Sequence, residues 1–299
     1  MSTPPPSSQN NHPYFIEAEN AAEMARLMHQ DRLLTKSMGG VFPERLDLSH
    51  VNTVLDVACG PGGWILDVAR TYPSIEATGI DISTIMIEYA NAQAWTQGLS
   101  NAKFQVMNAL KPLEFPDNSF DLVNARLLVG FMTQATWPQL LQECWRITRP
   151  GGIICWTEGD QFGNSNGPAM QELTTKASRA MYLAGQTFSP DGQNFGITPV
   201  LSRLVREAGY QNIQHRAEAI DYSAGTEAYS GWYQNFMVIL KLLQPFIVKS
   251  GLTTPEEASQ LYQQAMEEMK SSDFCGILYL LTVWGQKSEA QPRLPSMVS

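Results

Sequence analysis

The 299-residue sequence predicts an α/β protein in which a mostly parallel sheet is flanked by helices. Three observations carry that expectation. Apolar strand-like runs alternate with helix-like segments from residue 53 onward, a glycine-rich turn follows the first strand, and an acid stands at the end of each of the first two strands.

The repeat opens with strand TVLDVA at 53–58, a helix over about 62–71, strand EATGI at 76–80, a helix over about 83–97 and strand KFQVMN at 103–108. It continues with FDLVNA at 120–125, a helix near 137–148 that ends at the turn Arg149-Pro150-Gly151-Gly152, and strand GIICWTE at 152–158. These five strands define a core of residues 50–160. Ahead of it, residues 1–16 read as a flexible leader rich in Pro, Ser and Asn, with no basic start and apolar run of a secretory signal. Residues 17–38 carry Ala21, Met24, Ala25, Met28 and Leu33-Leu34 at helical spacing, and Gly39-Gly40 and Pro43 end that helix, giving a helical segment over 17–49.

Beyond the core, 168–184 and 198–208 read as helices, 211–221 as a strand, 226–249 and 255–271 as two further helices, and 274–286 as a last strand. The two late helices stand outside the basic repeat, so 161–288 is expected to complete the sheet and add a helical cap, with 289–299 as a flexible tail. No internal repeat or separating linker is present.

Composition narrows the function. A 43% hydrophobic content with 16% charged residues describes a globular chain able to offset the entropy of its own ordering. A net charge of -9, with no run of Lys or Arg, opposes binding to phosphate backbones, so nucleic acid is not an expected substrate. No stretch reaches the roughly 18 apolar residues that span a bilayer, so no integral membrane association is expected. Cys59, Cys144, Cys155 and Cys275 are widely spaced, form no metal pattern, and read as reduced core thiols of a cytoplasmic protein.

The strongest chemical signal is Val54-Leu55-Asp56-Val57-Ala58-Cys59-Gly60-Pro61-Gly62-Gly63-Trp64. A ligand passing close to the backbone where strand gives way to helix leaves no room for side chains and often needs positive φ, and glycines allow both. The helix that follows presents free N–H groups suited to an anion. A dinucleotide loop of the GxGxxG type is opposed by Ile65, three residues beyond Gly62, and by the position of Asp56; a turn without any ligand remains as an alternative. The second signal is Gly79-Ile80-Asp81-Ile82-Ser83, an apolar strand ending in a carboxylate able to accept two charge-assisted hydrogen bonds at once.

On these residues the chain resembles class I S-adenosylmethionine (SAM) dependent methyltransferases. The family pattern Asp/Glu-x-Gly-x-Gly-x-Gly is met at Asp56, Gly60 and Gly62, with Ala58 in place of the first glycine. The resemblance covers residues 50–160 and implies a Rossmann-like, mostly parallel seven-stranded sheet with SAM as cofactor. It implies that the methionine part lies over Gly60 and Gly62, that Asp81 takes the ribose hydroxyls beside Ile82, and that Asn108 and Ala109 flank the adenine, Asn108 replacing a commoner Asp. Arg126, after Phe120-Asp121-Leu122-Val123-Asn124-Ala125, is expected either to contact the methionine carboxylate or to pair with an acid. Tyr14 and the 17–38 helix are expected to fold over the pocket mouth as a lid.

The wording of Asp117-Asn118-Ser119-Phe120-Asp121 and Arg149-Pro150-Gly151-Gly152 resembles the small-molecule branch that includes quinone and sterol methyltransferases. This implies methyl transfer to an oxygen, nitrogen or carbon atom of a small acceptor with apolar or aromatic character. Tyr182, Phe188, Phe195, Tyr229, Trp232, Tyr233 and Phe236 are candidates for lining its pocket, although aromatic residues on helices more often fill a core. No dedicated catalytic acid or base is evident, and His29 and Glu158 are the two weak candidates. The glycine loop reports cofactor binding rather than turnover, so a SAM-fold cyclase or pericyclase and a non-catalytic SAM-binding regulator stay open.

Overall fold

The computed structural model describes residue 16, residues 20–44 and residues 46–289. Tyr14, nearly all of the expected leader and the tail beyond residue 289 lie outside the described residues.

Helix α1 (Ala21–Ser37) starts at Asn20, whose side chain accepts from the backbone N–H groups of Ala22 and Glu23. Such a cap is worth about 1 kcal/mol. The alternating unit then runs β1 (Thr53–Val57), α2 (Gly63–Thr71), β2 (Glu76–Asp81), α3 (Thr84–Thr96), β3 (Ala102–Val106), β4 (Phe120–Arg126), α4 (Thr136–Ile147) and β5 (Thr148–Gly159). The remainder is β6 (Asn164–Ser165), α5 (Pro168–Leu183), α6 (Thr198–Glu207), β7 (Tyr210–Asp221), α7 (Tyr229–Lys249), α8 (Pro255–Lys270) and β8 (Gly276–Lys287).

The sheet runs β3-β2-β1-β4-β5-β8, with β7 paired to β8. The first five strands are mutually parallel, and β8 is antiparallel to β5 and to β7. The seven expected strands are the long ones, and the two-residue β6, pairing with Gly276 and Ile277, makes an eighth. A second departure concerns Arg149-Pro150-Gly151-Gly152. It is not a turn before β5 but an irregularity inside it: Phe120 pairs with Thr148, the register then shifts, and Leu122 pairs with Ile153, with Gly151 at φ 77°.

Strand alternation separates two apolar layers. Leu55, Val57, Val123, Ala125, Ile154 and Trp156 point to the side covered by α4 and α6, whereas Val54, Leu122, Ile153 and Cys155 face α2 and α3. A third cluster joins Leu34 of α1 to α5, α7, α8 and the start of β8, so the cap and the N-terminal helix share one core. Each large aliphatic or aromatic side chain so buried contributes roughly 1.5–3 kcal/mol. Cys144 and Cys155 are core thiols as expected, but Cys59 is half-buried and Cys275 is exposed, because the latter falls in the connection before β8 rather than on an inward face. No helix among the described residues is long and apolar enough to cross a membrane.

β1 is followed by β2 on one side and flanked by β4 on the other, which makes the β1/β4 boundary the point where strand order reverses. Open parallel sheets bind ligands there, at the carboxyl ends of the strands.

Candidate active site

A cavity of about 370 Å³ opens at that edge. Its floor is drawn from the carboxyl ends of the strands in order: Asp56, Ala58 and Gly60 at the end of β1, Asp81 and Ile82 at the end of β2, Met107 to Leu110 after β3, Arg126 to Phe131 at the end of β4, and Gly159 at the end of β5. Of the residues expected at the cofactor, Asp56, Ala58, Gly60, Asp81, Ile82, Asn108, Ala109 and Arg126 all line it.

Gly62 does not, and its glycine answers a different need. It stands at the N-cap of α2 with φ 82°, and a Cβ there would come within 2.5 Å of the Phe104 ring and 2.8 Å of Ala90. Close packing on β3 and α3 alone therefore requires a glycine at this position. Ala58 and Gly60 are also left-handed, at φ 55° and 53°. An alanine held there costs on the order of 1–2 kcal/mol relative to glycine.

The acids are placed by register. Asp56 lies opposite Asn124 across the β1/β4 pair, and Asn124 Nδ2 donates to Asp56 Oδ1 at 2.8 Å. Burial, with Asp81 nearby, lifts the Asp56 carboxyl to about 7 despite that bond. Asp81 Oδ2 accepts from Gly60 N and Oδ1 from Ser83 N, each at 2.9 Å, so it ties the glycine turn to the β2 end. A carboxylate has about four acceptor positions, so this role is compatible with taking ribose hydroxyls as well. Asn108 Oδ1 accepts from Leu110 N at 2.9 Å, closing its own turn. Its oxygen is thus already committed in part to the backbone.

Arg126 pairs with an acid, and that acid was not foreseen. Asp31 of α1 reaches over the glycine turn and binds Arg126 through Oδ1, while its Oδ2 is buried without a hydrogen-bond partner. A Cβ on Gly63 would run into the Asp31 carboxylate, so the acid sits against the first residue of α2. Burial lowers the Arg126 guanidinium to about 10, leaving it charged at neutral pH.

Neither candidate base lines the cavity. His29 Nε2 lies 3.0 Å from the Gly231 carbonyl oxygen and fastens α1 to α7. Glu158 is fully buried, and burial raises its carboxyl to about 8. Its Oε1 accepts from Leu128 N at 2.8 Å and from Trp156 Nε1 at 3.1 Å, which holds the segment after Leu127, itself left-handed at φ 57°. Both residues shape the cavity from behind its walls.

The opposite wall comes from α1 and α7. Arg26, Leu27, Gln30, Asp31 and Leu34 face Trp232, Asn235, Phe236 and Ile239, joined by Phe162, Met181, Phe195, Leu278 and Leu280. Three of the seven candidate aromatics, Phe195, Trp232 and Phe236, reach the cavity, and the other four do not. Helix α8, expected beside the acceptor, contributes no lining residue; it packs behind α7 and α5. Arg26, Gln30, Asp31 and Asn235 carried no motif in the sequence, because contacts between α1 and α7, and for Asp31 with Arg126 of β4, set their roles.

Residues 54–152 match the family described as methyltransferase domain. The demethylmenaquinone methyltransferase of Geobacillus kaustophilus is 33% identical over 118 residues, covering 39% of this chain and 49% of that protein. A sterol 24-C-methyltransferase of Gibberella zeae is 34% identical over 116 residues, covering 38% of this chain and 30% of that one. The chain thus spans half or less of these relatives' length. A solved chain from the complex between the Haloferax volcanii Trm112 methyltransferase activator and a methyltransferase superposes with a TM-score of 0.54 at 17% identity, over 91% of this chain and 98% of that chain, which supports the fold. Over residues 54–152 the chain therefore carries a methyltransferase domain similar to those of quinone and sterol methyltransferases, a family whose cofactor is S-adenosyl-L-methionine.

Proposed function

We propose that this chain methylates an oxygen, nitrogen or carbon atom of a small molecule with apolar or aromatic character, in the cytoplasm. The observation that carries the reading is the continuity of one cavity, with carboxylates and a guanidinium at the strand ends and a largely apolar wall across from them. An acceptor and a cofactor can meet there without crossing solvent.

The residues present suit SAM. Asp81 would hold the ribose, Ile82, Met107, Ala109 and Leu110 would enclose the adenine, and Asn108 would offer its amide to the ring edge. Arg126 would take the methionine carboxylate. The Asp31 carboxylate, with its unpartnered oxygen against the start of α2, marks that place as one already suited to an anion. Helix α1 would act as the lid, turning Asp31 aside when the ligand carboxylate claims Arg126.

When bound, SAM supplies a methyl group on an activated sulfonium, and the departing thioether is neutral. The protein therefore has no leaving group to protonate, and its task is alignment, which can supply several kcal/mol of barrier lowering. The apolar walls of α7 and β8 would orient the acceptor and exclude water. His29 and Glu158 would act only through packing.

The test is incubation with methyl-labelled SAM and a panel of phenols, acids, amines and lipid-like acceptors. Label in an acceptor together with S-adenosylhomocysteine supports the proposal. Tight cofactor binding with no transfer to any acceptor class would favour a cyclase or a regulatory protein instead.

A further inference from the structure

The cap end of the cavity is not wholly apolar, and its polar groups are arranged in one sense. Arg26 is locked by Glu23, to which its Nε and NH2 donate at 2.7 and 2.6 Å. Its NH1 donates to Asn235 Oδ1 at 3.0 Å and to Gln30 Oε1. A guanidinium has no acceptor, so both amides must present oxygen to Arg26. Their NH2 groups are what remain to be offered elsewhere. Gln30 and Asn235 both line the cavity, and Asn235 is otherwise 4% exposed.

We infer that Gln30 and Asn235 form a donor pair that selects the acceptor molecule by a neutral, hydrogen-bond-accepting oxygen, such as a ketone, quinone, ester or amide carbonyl. This rests on the reading of the cap end as the acceptor site. Two features favour a neutral oxygen over a carboxylate. Glu23 cancels the charge of Arg26 and Asp31 that of Arg126, so no uncompensated cation faces the cavity among these residues. The Asp81 carboxylate, which also lines the cavity, further opposes an anion. The α7 side chains Trp232, Phe236 and Ile239 and the α1 side chain Leu27 provide apolar contact around the donors.

The geometry supplies its own conservative variants. Asn235→Asp and Gln30→Glu each keep an oxygen for Arg26 and delete the NH2 donor. The test is equilibrium dialysis of the full chain, with and without saturating S-adenosylhomocysteine, against 2-acetylnaphthalene, 2-ethylnaphthalene and 2-naphthoate. These probes share size and shape and differ in the oxygen. With two neutral hydrogen bonds at stake, the ketone should bind about tenfold more tightly than the hydrocarbon, and the carboxylate no more tightly than the hydrocarbon. Each variant should shrink the ketone preference, and S-adenosylhomocysteine affinity, read separately by calorimetry, should hold within about twofold. Should the buried Asn235→Asp fail to fold, Gln30→Glu at its half-buried position carries the same test. Equal binding of ketone and hydrocarbon by the wild type, tightest binding of the carboxylate, or a preference that survives in the folded variants would overturn the inference. An intact ketone preference with no S-adenosylhomocysteine binding would leave the donor pair standing and strike the cofactor reading instead.

Discussion

The two walls of the cavity are built in opposite ways. The strand-end wall comes from successive β-α crossings, where backbone direction, a left-handed turn and the register of adjacent strands place each side chain. Asp56 meets Asn124 because β1 and β4 pair in that register, and Asp81 meets Gly60 because β2 ends beside the β1 turn. The cap wall depends on contacts far apart in the chain, such as Arg26 to Asn235 across 209 positions. Local rules thus fix most of the strand-end wall, and packing between distant elements fixes the cap wall. Substitutions on one wall should therefore leave the other wall's ligand largely unaffected.

The largest expected effect is on the strand-end wall. Asp81→Ala removes an acceptor of charge-assisted hydrogen bonds, each worth about 1.5–3 kcal/mol, so S-adenosylhomocysteine affinity should fall about 100-fold by calorimetry. Trp232→Ala on the cap wall should change that affinity by less than about threefold. Comparable losses from both substitutions would dissolve the distinction.

Next is a pH effect confined to the strand-end wall. The Asp56 carboxyl stands at about 7 when folded against 3.8 when free, so between those values the folded chain keeps a proton that the unfolded chain releases. Stability from this group is therefore lost as pH rises through 7, by about 2 kcal/mol between pH 5.5 and 7.5. Glu158, at about 8, works in the same direction. Thermal melts of the free protein should drop over this range, and Asp56→Asn should make the drop about half as steep, leaving the part due to Glu158. A parallel profile in the variant would remove Asp56 as its source.

Asp31 tests the seam between the walls. Asp31→Asn leaves the Arg126 guanidinium without its partner, which destabilises the free protein and favours a ligand that restores a carboxylate. The melting temperature should fall while S-adenosylhomocysteine binds about tenfold more tightly, a coupling of about 1.4 kcal/mol. Weaker binding would mean that Asp31 holds the ligand rather than its place.

The smallest effect tests the turn itself. Ala58→Gly relieves a left-handed alanine at φ 55° and should raise stability by about 1 kcal/mol, with cofactor affinity kept. A destabilised variant would show that the alanine methyl contributes packing that outweighs the strain.

The same contrast explains what was legible in the sequence. The order of elements follows from apolar periodicity and turn residues, and most of the cofactor wall follows from one glycine turn and one strand-end acid. Gly62 was readable as a glycine but not as one needed for Phe104 and Ala90, since that contact joins separate elements. Arg126 left two readings open because its partner is 95 positions away on α1. The Arg149-Pro150-Gly151-Gly152 run carries ordinary turn residues, and only pairing with β4 turns it into an irregularity within β5. Gln30 and Asn235 gave no signal, because amides on helices are common and their orientation depends on Arg26.

The most direct test of the account is a crystal structure of the chain with S-adenosylhomocysteine. The account predicts ribose oxygens within hydrogen-bond distance of the Asp81 carboxylate, the ligand carboxylate at Arg126 with Asp31 turned away, and the thioether facing Trp232 and Phe236. A ligand seated against α7 with Asp81 unengaged, or Asp31 still on Arg126 with the ligand bound, would contradict it.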